Sequence, residues 1–338
     1  MISKENLEKY DSEGMHYAYD TWPDLARDAY NSELQPIDFK NIDHVVFSGM
    51  GGSGAIGDLF SSMLSKTDIH TTVVKGYTLP KTVDKNTLVV CTSVSGNTDE
   101  TLSILKKCTE LNCKTIGFSS GNTLESICEK NNIEHRQIPI THSPRTSFPS
   151  YVFSILKTIR TIVPIREDEI SSCLRNLENV KNEIYSKNLS NDNPSVNLAN
   201  WISGIPVIYY PWGLEAAAIR FKNSLQENAK IHVIIEEVLE VCHNGIVAWN
   251  KDSDFQPILI RGEDDHQKTK ERWDIIIKFF KENGIEFLEI NSTKGNILTK
   301  IINLIYITDF ASIYHAVLNE VDPTPVKAIE YVKERLLR

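Results

Sequence analysis

Short apolar runs alternate with longer amphipathic stretches along the first half of the chain. The apolar runs predict five strands, at residues 44–47, 69–75, 87–91, 115–118 and 134–138. The stretches between them predict three helices, at residues 54–64, 98–111 and 124–130. Strands that alternate with helices are typical of βαβ units, so this half predicts an α/β fold with a parallel sheet.

The second half repeats this alternation more faintly. Its predicted strands lie at residues 207–210, 258–261 and 287–290, and its predicted helices at 213–228, 269–283 and 297–318. We therefore predict two doubly wound parallel-sheet subdomains. The predicted organisation is an N-terminal helical extension (1–40), a first subdomain (41–162), a helical connector (163–200) and a second subdomain (201–338). Within the connector, the polar residues 190–195 predict a loop.

Two loops of small residues each follow a predicted strand of the first subdomain. Residues 47–54 read Phe-Ser-Gly-Met-Gly-Gly-Ser-Gly, and residues 91–98 read Cys-Thr-Ser-Val-Ser-Gly-Asn-Thr. On neighbouring strands these loops would bring backbone N–H groups, hydroxyls and positive helix ends into one crevice, which suits a phosphate dianion. We therefore predict a phosphorylated metabolite as the ligand. The predicted phosphate-binding residues are Gly51, Gly52, Ser53, Ser93, Ser95 and Thr98.

The first loop has a second interpretation. Gly49-x-Gly51-x-x-Gly54 also fits the dinucleotide-binding motif, in which an acidic residue at the end of the second strand binds the ribose. Here the second predicted strand ends at Lys75-Gly76 instead. This substitution weakens the dinucleotide interpretation without eliminating it.

Composition limits the classes of partner. The formal net charge of −9 argues against a nucleic-acid surface. No His or Cys spacing typical of a metal site is present, so we expect no metal and no other cofactor. No apolar run approaches the ~20 residues of a membrane span, and the first ten residues lack the apolar core of a secretion signal. We therefore expect a cytoplasmic protein without a membrane partner.

The two loops together resemble a known family. Gly-Gly-Ser-Gly, followed by Ser-x-Ser-Gly-Asn-Thr-x-Glu-Thr, is similar to the sugar isomerase (SIS) domain. More narrowly, the chain from about residue 44 to its end resembles the archaeal-type bifunctional phosphoglucose/phosphomannose isomerases. The resemblance implies two SIS-type, flavodoxin-like subdomains and a homodimer with a shared active site. It also implies metal-independent interconversion of glucose or mannose 6-phosphate with fructose 6-phosphate through a cis-enediolate.

The resemblance assigns roles to particular side chains. Glu227, in Glu-Asn-Ala-Lys, matches the base that moves a proton between C1 and C2. Its place at the end of a predicted helix would tend to raise its pKa, because the negative end of the helix dipole disfavours the anion. His243, in His-Asn-Gly, matches a histidine that assists ring opening from the second subunit.

Two further positively charged side chains complete the implied site. Arg145, in Ser-Pro-Arg-Thr-Ser, would stabilise the negative charge of the enediolate. The family also places a ring-opening lysine in its C-terminal helix, for which we prefer Lys333 over Lys327. Thr324 is a small residue that could leave room for rotation about the C2–C3 bond of the sugar.

Two other functions remain open from the sequence. A non-catalytic sugar-phosphate sensor would keep the phosphate loops but would not need Glu227, His243 and Arg145. Such regulators usually carry a helix-turn-helix, and the first forty residues are too short and acidic to supply a convincing one. An isomerase of another phosphosugar is the other alternative.

Overall fold

A computed structural model describes residues 2–251 and 253–336. The chain begins with three short helices, α1 (Lys4–Tyr10), α2 (Met15–Asp20) and α3 (Trp22–Asn31). Their aromatic side chains are part of the main core: Trp22 is fully buried and its ring lies 4.6 Å from that of Tyr19 and 5.3 Å from that of Tyr306. Tyr17, which precedes Tyr19 on α2, is 51% exposed. These helices are therefore packed into the main core of the chain.

The first sheet contains five parallel strands. They are β1 (His44–Ser48), β2 (His70–Val74), β3 (Thr87–Ser93), β4 (Lys114–Ser119) and β5 (Glu134–Gln137), in the order β2-β1-β3-β4-β5. Three helices connect them, α4 (Gly51–Leu64), α5 (Asp99–Cys108) and α6 (Asn122–Lys130). This strand order is that of a doubly wound sheet, and it places the topological switch point between β1 and β3.

A helical segment joins the two sheets. It contains α7 (Phe148–Thr158), α8 (Glu167–Ile184) and α9 (Pro194–Trp201). The sequence predicted only a loop at 190–195, but α9 begins there because Asn193 accepts hydrogen bonds from Ser195 N (2.8 Å) and Val196 N (3.1 Å). Asn before Pro is a common start of a helix, so this signal was present in the sequence.

The second sheet contains four parallel strands, in the order β7-β6-β8-β9. They are β6 (Ile205–Tyr210), β7 (Ile234–Glu237), β8 (Phe255–Arg261) and β9 (Leu288–Asn291). Its helices are α10 (Glu215–Ser224), α11 (Val238–Val241), α12 (Gln267–Glu282), α13 (Ile297–Leu318) and α14 (Lys327–Leu336). The predicted α/β class with two doubly wound parallel sheets is therefore confirmed. The sequence missed β7, a four-residue edge strand without polar–apolar alternation. The domain boundaries stay a prediction.

Helix α13 lies at the centre of the molecule and packs against α8, α9 and α10. Among the residues that the structure describes, it is the one helix long and apolar enough, by length and composition, to cross a membrane. The expectation that no apolar run approaches this length was therefore wrong. The helix lies inside the protein, however: 89% of its most apolar 18-residue stretch is buried. Burial from all sides explains why α13 is apolar around its whole circumference.

Candidate active site

The two small-residue loops meet at the switch point of the first sheet. Strands β1 and β3 are hydrogen-bonded neighbours, with Ser48 opposite Cys91, so the loops that leave their carboxyl ends lie side by side. One loop leads into α4 and the other into α5. Ligands of open parallel sheets bind in this crevice, between the loops of two adjacent strands. The structure thus brings the predicted phosphate-binding segments together.

The first loop is packed too closely against α4 to allow side chains at two of its glycines. A Cβ atom on Gly54 would lie 2.9 Å from the carbonyl oxygen of Gly49, and one on Gly49 would lie 2.9 Å from the backbone of Ser53. Gly51 has open space around it but a φ of +53°, which favours glycine. Ser53 is buried in the first turn of α4. No side chain caps this helix. Because Ser53 N and Gly54 N donate to the carbonyl oxygen of Met50 (3.0 and 3.2 Å), the N–H groups of Gly51 and Gly52 are the ones available to an anion.

The second loop presents hydroxyl groups. Ser93 Oγ donates to Thr98 Oγ1 (2.9 Å), and Ser95 Oγ accepts from Asn97 N (3.3 Å). Since each hydroxyl carries one proton, Thr98 and Ser95 can still donate to a phosphate oxygen. Gly96 has a φ of +71°, and a Cβ there would lie 2.0 Å from the carbonyl oxygen of Gly121, so only glycine fits this turn.

Lys75 occupies the place at which a dinucleotide-binding fold needs an acidic residue. It follows directly after β2, and its Nζ lies 2.6 Å from Asp58 Oδ2. The ribose-binding carboxylate of that motif therefore has no counterpart at this position. The glycines of the loop are explained instead by its close packing on α4.

Arg145 is buried in the loop between β5 and α7. Its Nη1 donates to Asn228 Oδ1 (2.9 Å), to the carbonyl oxygen of Glu227 (3.3 Å) and to that of Pro323 (3.3 Å). Its Nη2 donates to the carbonyl oxygen of Thr324 (2.6 Å). These bonds fix the guanidinium between the two halves of the chain.

Glu227 lies beside this guanidinium. Its Oε2 is 3.5 Å from Arg145 Nε, and its side chain is 25% exposed to solvent. Helix α10 ends at Ser224 and continues as one π-helical turn, Leu225–Ala229, which carries Glu227. The sequence predicted an ordinary helix to residue 228. Single π-helical turns are frequent at functional sites, because they redirect side chains at the end of a helix.

Lys230, the last residue of Glu-Asn-Ala-Lys, is a neighbour of this pair for which the sequence predicted no role. Its Nζ donates to the carbonyl oxygens of Glu227 (2.6 Å) and Pro323 (3.2 Å), which also accept from Arg145. Burial, together with the positive charge of Arg145, lowers the pKa of Lys230 to about 8. The site therefore holds an amine that changes its charge close to neutral pH.

A buried ion pair, which the sequence analysis missed, lies between the phosphate loops and Arg145. Arg220 Nη2 is 2.7 Å from Asp309 Oδ2, and neither side chain is more than 2% exposed. Burial, the largest influence, lowers the pKa of Arg220, but the negative charge of Asp309 outweighs it and the pKa is raised overall. A lone Asp in the apolar sequence of α13 was a signal for such a pair, since buried charges need partners.

Of the remaining predicted residues, Thr324 contacts Arg145, whereas no hydrogen bond or ion pair between described residues joins His243, Lys327 or Lys333 to Arg145 or Glu227. His243 is exposed after α11, and Lys333 and Lys327 are exposed on α14. Thr324 contributes its carbonyl oxygen to Arg145, while its buried Oγ1 has no hydrogen-bond partner among the described residues. The roles of these residues, like those of Glu227 and Arg145, stay predictions.

The part of the chain that the structure describes contains no cluster of three or more His, Cys, Asp or Glu side chains placed to hold a metal ion.

Comparison with known proteins identifies the family. Residues 38–156 match the family model for the SIS domain, and residues 191–336 match that for the bacterial phospho-glucose isomerase C-terminal SIS domain. A bifunctional phosphoglucose/phosphomannose isomerase of Aquifex aeolicus is 32% identical over 330 residues, which cover 96% of each chain. A D-glucosamine-6-phosphate 4-epimerase of Sulfolobus acidocaldarius is 29% identical over 249 residues, 73% of this chain and 77% of that protein.

A solved structure agrees in fold. The C-terminal domain of glucosamine-fructose-6-phosphate aminotransferase from Francisella tularensis superposes with a TM-score of 0.71 at 16% identity, covering 95% of this chain and 99% of that one. At this identity the likeness concerns the fold alone. The relative from Aquifex aeolicus matches almost the whole chain, and the two family models together match more than three quarters of it. The chain therefore belongs to the family of bifunctional phosphoglucose/phosphomannose isomerases.

Proposed function

We propose that this protein interconverts glucose 6-phosphate and mannose 6-phosphate with fructose 6-phosphate, without a metal ion. The observation that carries this proposal is the Glu227 carboxylate 3.5 Å from the buried guanidinium of Arg145, in a chain 32% identical to an isomerase over its length. A carboxylate can remove a proton from the carbon beside a carbonyl, and a fixed guanidinium can stabilise the resulting charge.

The 6-phosphate binds at the switch point of the first sheet. It accepts hydrogen bonds from the first-turn N–H groups of α4 and from the hydroxyls of Ser53, Ser95 and Thr98. Ser93 orients the Thr98 hydroxyl by donating to it (2.9 Å). Two positive helix ends add to the attraction of the dianion.

The sugar head then reaches the Arg145–Glu227 pair. Glu227 removes the proton from C2 of the aldose, or from C1 of fructose 6-phosphate, and returns it to the other carbon. Arg145 stabilises the negative charge of the enediolate that forms beside it. Glucose and mannose 6-phosphates differ only at C2, so both can form from one enediolate.

A test of this function needs only the pure protein. Incubation with fructose 6-phosphate and a chelator should yield both aldoses, identified by NMR, whereas the Glu227→Gln variant should yield neither. Absence of both aldoses in the wild-type reaction would contradict the proposed activity. Activity that disappears with the chelator and returns with a metal ion would contradict its metal independence.

Action on another phosphosugar is the second candidate, and the similarity to a D-glucosamine-6-phosphate 4-epimerase favours it. Glucosamine 6-phosphate carries the same 6-phosphate, so it can use the same phosphate loops. Incubation with glucosamine 6-phosphate and analysis for the 4-epimer separates the two candidates. Epimerisation without formation of aldoses from fructose 6-phosphate would favour this second function.

We also propose a homodimer in which His243 of the partner subunit, together with Lys333, opens the sugar ring. Support comes from uncovered apolar side chains near both segments. Val247 is 64% exposed close to His243, and on α14 Val332 and Leu336 are 54% and 62% exposed. Large exposed apolar side chains grouped on one helix are typical of an interface.

Mixed variants test the shared site. Glu227→Gln and His243→Ala chains, each inactive alone, should regain activity when their subunits exchange. Each heterodimer would hold one intact site, so an equal mixture should reach about a quarter of wild-type activity. No recovery after demonstrated subunit exchange would mean that each site is built within one chain.

A further inference from the structure

Arg220 connects the two ends of the proposed substrate site. It lies on α10, is 2% exposed, and binds Asp309 of α13 through Nε (3.0 Å) and Nη2 (2.7 Å). Tyr19 and Ser224 also donate hydrogen bonds to Asp309, which fixes the carboxylate from several sides. The ion pair is therefore held rigidly in the core.

One edge of the guanidinium faces the phosphate-binding turn. A Cβ atom on Gly52, in the first turn of α4, would lie 3.3 Å from Arg220 Nη1. This distance is tighter than most real Cβ contacts, so the guanidinium fits against this turn only because residue 52 is glycine. No hydrogen bond joins Nη1 to another described residue.

The other edge of the guanidinium holds the residue beside the proposed base. Arg220 Nη2 donates to the carbonyl oxygen of Arg145 (3.0 Å), and Arg145 Nε lies 3.5 Å from Glu227 Oε2. Glu227 follows Arg220 on the same helical segment. One buried side chain thus contacts the turn proposed to bind phosphate and the backbone of the arginine proposed to face the reacting carbons.

We propose that Arg220 is a positioning residue that sets the spacing between the phosphate-binding turn of α4 and the Arg145–Glu227 pair. It acts through Gly52 and Arg145 rather than by touching the sugar. This inference rests on the proposed function, since that function places the phosphate at one end and the chemistry at the other. Small errors in this spacing matter, because a 1 Å displacement can cost ~100-fold in rate.

The Gly52→Ala variant tests the contact from the side of α4. Residue 52 is helical without a positive φ, so alanine should not weaken the helix itself. The added methyl group should displace Arg220 by a few tenths of an ångström and with it Arg145, so we expect kcat to fall ~10-fold in addition to a rise in KM. Gly76→Ala is the matched control, because nothing lies within 4 Å of a Cβ there and its activity should match the wild type. A change in KM alone, or no change, would overturn the proposal.

The Arg220→Lys variant tests the contacts of the guanidinium itself. Lysine keeps the charge but lacks the planar fork that reaches Asp309 and the carbonyl of Arg145 together. We expect kcat to fall at least ~10-fold, and the loss in the Gly52→Ala/Arg220→Lys double variant to be smaller than the product of the single losses. Ser224→Ala is the control for stability alone: it removes a hydrogen bond to Asp309 but leaves both contacts of Arg220, so its melting temperature should fall while kcat stays.

Two results would count against a positioning role. Losses of kcat that multiply independently in the double variant would show that Gly52 and Arg220 are not coupled. If kcat falls in proportion to the melting temperature in both Arg220→Lys and Ser224→Ala, Arg220 contributes to stability alone. Wild-type turnover tests the proposed function separately. If the wild type is inactive, the crystal structure of Gly52→Ala decides the inference, which requires displaced Arg220 and Arg145 side chains.

Discussion

The two halves of the molecule share a topology but differ in the loops at their switch points. In the first sheet, β1 and β3 lead into loops of glycine, serine and threonine. In the second sheet, the neighbouring strands β6 and β8 lead into Pro-Trp-Gly at residues 211–213 and Gly-Glu-Asp-Asp at residues 262–265. The second crevice is a cavity of about 600 Å³ in which Trp212 is 63% exposed. Its lining combines two carboxylates with three lysines, and one of these lysines, Lys300, lies 2.7 Å from Asp264.

This difference shows that topology makes a crevice and loop chemistry decides what it binds. The second half contributes to the site through the opposite end of its first helix. Helices α4 and α10 pack antiparallel, since Gly52 at the start of α4 meets Arg220 late in α10, while Ser62 and Ser65 line the same cavity as Trp212. The π-helical turn that continues α10, with Glu227, is therefore brought towards the crevice between β1 and β3 in the first half.

The largest expected effect is that of replacing Glu227. It tests whether the second half of the chain carries out the chemistry while the first half binds the phosphate. Glu227→Gln should lower kcat by ~1,000-fold, because the amide cannot accept the proton. The dissociation constant for 6-phosphogluconate, which carries the phosphate, should stay nearly unchanged. Glu215→Gln makes the same change at the exposed start of α10 and should retain activity. Retained turnover in Glu227→Gln would remove Glu227 as the base.

The next effect tests the hydroxyl-lined loop of the first half. Thr98→Val keeps the shape of the side chain but loses a hydrogen bond to a charged group, worth ~1.5–3 kcal/mol. Calorimetry should show the dissociation constant for 6-phosphogluconate rising at least ~10-fold. Thr109→Val, at the other end of α5 where Thr109 binds only a backbone carbonyl, should bind normally. An unchanged affinity of Thr98→Val would contradict the phosphate site.

A smaller effect concerns Lys230, beside Glu227. Its pKa is lowered from 10.5 to about 8 by burial and by Arg145, so between these values the unfolded chain binds more protons than the folded one. Its contribution to stability must therefore increase as the pH rises through this window. Urea unfolding at pH 7 and pH 9.5 should show that the free energy of unfolding of the wild type, relative to Lys230→Met, increases with pH. A difference that stays level would mean that folding does not change the pKa of Lys230, and a decrease would mean that folding raises it.

The smallest expected effect is at the crevice of the second half. Trp212→Ala should leave kcat and KM for fructose 6-phosphate within about twofold of the wild type, because the loops there lack the groups that bind phosphate. Steady-state kinetics of Trp212→Ala and Thr98→Val, measured under the same conditions, provide the comparison. A rise in KM as large as that of Thr98→Val would show that both crevices take part in substrate binding.

Local patterns were sufficient to predict much of the fold. The predicted strand at 44–47 and β1 (His44–Ser48) nearly coincide, and the polar loops that follow β1 and β3 lie where expected. The meeting of Arg145 and Glu227 was implied only by the family resemblance, since 82 positions separate them. Strand β7 and the start of α9 were missed because short segments give little periodicity.

The sequence by itself determined which segments alternate as strands and helices and which two loops are rich in glycine and hydroxyl side chains, because these are properties of neighbouring residues. Only the tertiary structure decided that one π-helical turn presents Glu227 to Arg145 and that Arg220 pairs with Asp309, 89 positions further along the chain. It also decided that the apolar helix α13 is a core helix. These features depend on packing between distant segments, whose free energy no local pattern contains.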